Sequence, residues 1–153
     1  MRIEFTVTDY PPKKHGEKSM FAQSNEALRV VHLRERAYEA RLQARFNKPF
    51  DCLVALELRV FVPESRLESI GDLDSFIAGV CDGLQAADPK VLPYLDEALR
   101  ELKEEAHPKH ALLITNDAKV VSIMARKVPL KENKDAYYEV AVEPLSRDIV
   151  ERR

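Results

Sequence analysis

From Cys52 to Val62 every second residue is apolar: Cys52, Val54, Leu56, Leu58, Val60 and Val62. Their partners are partly polar and include Glu57 and Arg59. A period of two lines one face of a strand. Pro63, with no amide hydrogen to give to a ladder, ends it. The chain must therefore contain a sheet with one covered face.

Shorter segments extend that sheet. Between Arg2 and Thr8, Ile3, Phe5 and Val7 alternate with Arg2, Glu4 and Thr6, the pattern of a half-buried strand. Between Asp135 and Glu143, Tyr138, Val140 and Val142 alternate with Tyr137, Glu139 and Ala141. Two β-rich runs, Ala111 to Thr115 and Ala118 to Lys127, flank Asn116-Asp117 and predict a hairpin.

Helices fill the intervals. Asn25 to Phe46 predicts a helix capped by Ser24 or Asn25. It has a bulky face (Leu28, Val31, Tyr38, Leu42, Phe46) and a smaller one (Val30, Leu33, Ala37, Ala40, Ala44). A helix buried on two sides meets its sheet and something else, either another helix or a second subunit. Arg34, Arg41 and Arg45 lie between the faces and read as surface and ion-pair residues. A second helix runs from Asp72 or Asp74 to about Ala86, with Phe76, Ile77, Val80, Cys81 and Leu84 at helical spacing. Val91 to Glu105 predicts a third, before Pro108. Asp9 to Ser24, with Pro11-Pro12 and Gly16, reads as a long loop, often a functional feature in a compact domain. The expected fold is α+β, a mixed sheet packed with helices in the order β-α-β-α-α-β-β-β. It forms one domain over 1–144, with a polar tail over 145–153.

The length of 153 residues suits one domain with a real core, and 33% charged residues fit a globular chain. No run approaches a spanning helix, and MRIEFTVTD does not resemble a signal peptide, so the expected location is cytoplasmic with no membrane partner. In a reducing compartment Cys52 and Cys81, each inside an apolar run, read as buried thiols. A formal net charge of −2 argues mildly against non-specific DNA binding and leaves room for a local basic face.

The residues able to carry chemistry are carboxylates. Asp72 and Asp74 flank Leu73 at a predicted helix start, where the amides favour negative charge. Oxygen ligands of this kind suit a hard cation such as Mg²⁺. The same residues can also serve as a helix cap and a solvated Asp. Asp117 either shapes its turn or brings a third carboxylate over the helix start. Asp82, about two helical turns beyond Asp74, returns to nearly the same face as a ligand, a supporting group or a surface residue. His107-Pro108-Lys109-His110 reads as a polar loop. No P-loop, dinucleotide fingerprint or nucleophile elbow is present.

Gly71-Asp72-Leu73-Asp74-Ser75-Phe76, followed by Asp82-Gly83-Leu84, resembles the D-L-D-N-type motif, helix and D-x-L of the RusA-like Holliday junction resolvases, a family of crossover junction endodeoxyribonucleases. Asn116-Asp117-Ala118-Lys119-Val120-Val121 resembles that family's later D-A-x-V-V, and the opening strand before Pro11-Pro12 is similar to its start. The resemblance implies a homodimer that cuts branched DNA. Mg²⁺ (or Mn²⁺) would be held by Asp72, Asp74 and Asp117, and Lys127 would be a further catalytic residue. Basic residues Lys13, Lys14, Lys18 and Lys119, with His15, are candidate phosphate contacts. Ser75 stands where the family has Asn, and Ala78 where it has Lys. These departures keep a second reading open: a relative with little or no activity that binds nucleic acid or a protein partner.

Overall fold

A computed structural model describes residues 1–14 and 19–145. Expectations for His15, Lys18 and most of the tail lie outside the described residues. The elements are β1 (Ile3–Thr8), α1 (Ser24–Gln43), β2 (Val54–Pro63), α2 (Leu73–Leu84), α3 (Glu97–Arg100), β3 (Val120–Leu130) and β4 (Tyr137–Pro144). The four strands form one mixed sheet in the order β1-β4-β2-β3. β4 is antiparallel to β1 and β2, while β3 is parallel to β2. The architecture is therefore α+β, as expected, with one strand fewer among the described residues.

The alternation in β2 is borne out: Val54, Leu56, Leu58, Val60 and Val62 are all buried. They join Ile3, Phe5 and Val7 of β1 and Tyr138, Val140 and Val142 of β4 beneath the helices. The opposite sheet face carries charges that cross strands. Arg2 bonds Glu57 (2.8 Å), and Arg59 pairs with Glu139 (3.5 Å). Phe61 and Tyr137 stack there, with centroids 4.4 Å apart.

No strand forms over 111–115, and the expected hairpin is absent. The amides of Leu112 and Leu113 donate to the Leu84 carbonyl at the end of α2 (3.0 and 3.2 Å), and their side chains are buried. Only Ile114 makes an isolated parallel bridge, with Phe50. The run is committed to closing a helix C-terminus, whose last carbonyls need partners. Asn116 caps a 3-10 turn, its side chain accepting from the Ala118 amide (2.9 Å), and β3 then pairs with β2.

The helix expected over Val91 to Glu105 is broken. Only α3 is helical, between 3-10 turns at Leu92–Tyr94 and Glu104–Ala106. Pro93 lies in the first turn, and Asp96 caps α3 by accepting from the Ala98 amide (3.1 Å). Its single buried residue, Leu99, joins Leu95 against Met20, Phe21, Val30 and Val31.

α1 begins at Ser24, one residue before the expected start, with Gln23 as its cap. It ends at Gln43, before Phe46, and Arg45 adopts a left-handed φ of 55°. The smaller face, with Leu33, Ala37 and Ala40, enters the main core, while Leu28 and Leu42 of the bulky face are more than half exposed. Small residues allow close approach: a Cβ on Gly83 would lie 2.6 Å from Leu33. The second apolar surface, Ala27, Val30 and Val31, is covered by 20–21 and 87–102 of the same chain. Tyr38 and Phe46 of the bulky face pack against the main core, while Leu28 and Leu42 stay exposed.

Arg34 corrects the surface reading. It is fully buried, and its guanidinium donates to five backbone carbonyls: Gly83, Gln85, Ala106, His107 and His110. Arg41 is half-buried and donates to the Leu112 carbonyl (2.9 Å). No helix among the described residues is long and apolar enough to cross a membrane.

Candidate functional site

The Asp-x-Asp motif opens α2. Gly71 supplies the turn with φ 131°, Asp72 is the N-cap in extended conformation, and Asp74 lies in the first helical turn. Both side chains are exposed. Asp72 makes no side-chain cap bond, and Asp74 Oδ1 accepts from the Ser75 amide (3.0 Å). The site has helix-start carboxylates whose oxygens are largely unspent.

The loop after β1 docks on this helix. Gly79 makes that possible, since a Cβ there would fall 1.9 Å from the Pro12 carbonyl oxygen. The Lys14 amide donates to the Ser75 carbonyl (3.3 Å). Lys13 lies over Gly71, donates from Nζ to the Ile70 carbonyl (3.1 Å), and is fixed through its amide to buried Glu26 (2.9 Å). Lys14 Nζ pairs with Asp82 Oδ2 at 3.0 Å. That bond, then the charges of Asp82 and Asp117, raise the Lys14 ammonium above its ordinary range.

Asp117 opens the 3-10 turn before β3. Its amide donates to Gln85 Oε1 (3.2 Å), and Gln85 Nε2 donates to the Cys81 carbonyl (2.9 Å). Asp117 is thereby tied to the C-terminal half of α2, with Asp82 and Lys14. Eight residues at about 1.5 Å rise separate Asp74 from Asp82 by roughly 12 Å along the axis. Among the described residues, no three His, Cys, Asp or Glu side chains stand close enough to hold one metal ion. The donor chemistry, exposed carboxylates, suits Mg²⁺ or Mn²⁺. The arrangement divides it between two ends of one helix stripe.

Lys127 lies on β3 and donates to the Leu67 carbonyl (2.6 Å), in the connection that leads into α2. Lys119 is paired with Asp51, whose carboxylate it holds below the usual range. Lys13, Lys14 and Lys127 therefore contact α2 or its approach, whereas the Lys119 ammonium is engaged by Asp51. Sequence reasoning missed Gly79 and Gln85. A glycine inside an apolar helix was the available signal for the first. Nothing local announced the second.

The cysteines differ from expectation in one respect: Cys81 is buried, but Cys52 is exposed. Burial, then the charges of Asp117 and Asp82, push the Cys81 thiol up to about 12. Thiolate is the reactive form. In native protein at pH 8, a thiol reagent should label Cys52 within minutes and leave Cys81 unmodified, with both labelled in denaturant. Rapid double labelling of native protein would contradict the burial of Cys81.

No family model matches the chain, and no curated protein is similar enough to count as a relative.

Proposed function

We propose that the chain is a divalent-metal-dependent endonuclease for branched DNA, using Asp72, Asp74 and Asp117. The observation that carries this reading is the docking of Pro12-Lys13-Lys14 on α2 through Gly79, beside the Asp72–Asp74 turn. Phosphodiester hydrolysis needs cations to hold phosphate and carboxylates to hold a metal; the docked loop brings Lys13 and Lys14 to α2, with Asp72 and Asp74 at the start of that helix and Asp117 tied to its far half. Bound Mg²⁺ or Mn²⁺ would supply an activated water and stabilise charge on the phosphate. Lys13 and Lys14 would exchange their present partners for phosphate oxygens, and the rigid backbone contacts would keep them in register. Lys127 would anchor the Leu67 connection ahead of the motif.

One observation favours the second reading, a module that binds nucleic acid or protein without cutting it. Asp117 is held with Asp82 and Lys14 rather than with Asp74. The deciding measurement is incubation with a synthetic four-way junction and matched duplex in Mg²⁺, Mn²⁺ or EDTA. The enzyme reading expects junction cleavage only with metal and little duplex cleavage. Metal-independent binding with no cleavage in any condition would replace it with the second reading.

A further inference from the structure

On the outer sheet face the strand register aligns three side chains in a row: Thr8 of β1 lies opposite Tyr137 of β4, and Tyr137 lies opposite Phe61 of β2. The Phe61 and Tyr137 rings are nearly parallel, with 9° between their planes. Phe61 covers one face of the Tyr137 ring, and Thr8 is too small to cover the other. Thr8 and Tyr137 line an open cleft of about 580 Å³, with Pro63 and Ala136 as further apolar wall. Sites for small ligands typically measure about 300–1,000 Å³. The chain is fixed around it. Asp9 takes a left-handed φ of 83°, and its amide donates to the Ala136 carbonyl (3.0 Å). The next residue, Tyr10, has Arg29 over its ring at 5.7 Å and Arg66 at 5.6 Å. Arg66 is exposed, yet this ring contact positions it at the cleft. Lys134 lines the cleft as well, and neither cation has a carboxylate partner among the described residues. Two carboxylates complete the lining. Asp9 faces Arg29 at 4.0 Å, while Asp135 has no cationic partner among the described residues.

We infer that this cleft binds a nucleotide, its base stacked on the open face of Tyr137 and its phosphate held by Arg66 and Lys134. Three features select that chemistry. A planar ring seated over Thr8 extends the Phe61–Tyr137 stack by one member, and every base has a face that can do so. An aliphatic ligand gains no such contact. Two unpaired cations suit one phosphate dianion, and the Arg66 guanidinium offers a fork that matches two of its oxygens. A neutral aromatic ligand would leave both cations unanswered. Asp135 can accept a hydrogen bond from an amino group on the ring, so the lining is matched to a ligand that carries donors as well as negative charge. A simple anion does not meet that demand. The nucleotide is the same chemical unit whether it is free or part of a single strand. None of Asp72, Asp74 and Asp117 lines the cleft, so the site is separate from the aspartates of the cleavage reading.

The test titrates adenosine monophosphate into the full chain in EDTA, followed by amide NMR shifts, so its outcome does not depend on cleavage. Binding should saturate with a dissociation constant below about 1 mM. Adenosine and inorganic phosphate should each bind at least about tenfold more weakly, because each fills one half of the site. Arg66→Gln should weaken the nucleotide at least about fivefold and leave adenosine unchanged. Thr8→Phe sets a ring of the chain's own over Tyr137. Thr8 is exposed on an edge strand and Phe suits strands, so the fold should survive while nucleotide binding is lost. A short single-stranded oligoadenylate distinguishes the two sources. If it binds more tightly than the monophosphate and is lost in Thr8→Phe, the nucleotide belongs to a strand; if it binds no more tightly, the ligand is a free nucleotide. The inference is overturned if the monophosphate fails to saturate by about 10 mM, or if inorganic phosphate binds as tightly. It is equally overturned if Arg66→Gln or Thr8→Phe binds the nucleotide as the wild type does.

Discussion

Arg34→Met should remove on the order of 5 kcal/mol of stability, a loss that leaves a domain stable by about 5–15 kcal/mol marginal or unfolded. The reason lies in what surrounds the guanidinium. Its five donor contacts go to carbonyls, and no carboxylate among the described residues bonds to it. Gly83 and Gln85 close α2, where the last carbonyls have no helical partners and form the negative end of the helix dipole. Ala106, His107 and His110 belong to the loop that passes beneath. Burial, with a lesser contribution from Arg41, pushes Arg34 down to about 9, so it remains a cation at neutral pH. A buried ion pair can often be replaced by apolar residues because both partners leave together. Here the acceptors are main chain and stay behind, each unsatisfied carbonyl costing about 1–3 kcal/mol. Arg34→Lys keeps the charge but offers three donors to five acceptors, and should recover only part of the loss. Urea unfolding followed by circular dichroism measures both variants. A loss below about 1 kcal/mol for Arg34→Met would mean that water or rearranged backbone satisfies those carbonyls.

The same residue shows where the sequence could be read and where it could not. Alternation in 3–7, 54–62 and 138–142 identified three strands and their buried faces, because period two is a local property of the backbone. The start of α2 was legible from Gly71 and the two aspartates. Partnership was not. Arg34 and Arg36 are both arginines on α1, yet one is fully buried and the other bonds Glu39 on the surface. Which of them is buried depends on the end of α2 and on a loop some seventy positions away. Ala111 to Thr115 looks like a strand by composition, but the orphan end of α2 recruits its amides first. The two faces of α1 were seen, but not which one meets the main core; Leu33, Ala37 and Ala40 enter it, with Leu33 seated against Gly83 of α2. In the candidate site, the positions of Asp72 and Asp74 followed from the motif. The arrival of Lys13 and Lys14 at Gly79, and the tether of Asp117 to Gln85, are long-range events that no spacing encodes.

Asp74→Asn carries the largest expected effect on activity. If the carboxylate helps to hold a catalytic cation, junction cleavage should fall on the order of 10²–10³-fold or more, while junction affinity stays equal or rises. Removing a negative charge beside the phosphate lessens repulsion in the bound state, and the lost cation acts mainly on the transition state. If Asp74 only supports the helix start, the outcome differs. Asn accepts hydrogen bonds as Asp does, and losing one charge from the first turn costs about 0.3–1 kcal/mol, with no effect on activity. Asp82 supplies the comparison that the geometry demands. Asp82 pairs with Lys14 at 3.0 Å, whereas Asp117 is bound through its amide to Gln85, so the two occupy the same half of α2 with different duties. Asn substitutions at Asp72, Asp74 and Asp117 should each abolish cleavage, and Asp82→Asn should weaken it less while loosening Lys14. If Asp82→Asn and Asp117→Asn lose activity while Asp72→Asn and Asp74→Asn keep it, the working carboxylates are those at the far end of the helix. If all four retain junction binding and the wild type never cuts, the aspartates cap and solvate, and the protein binds without catalysis.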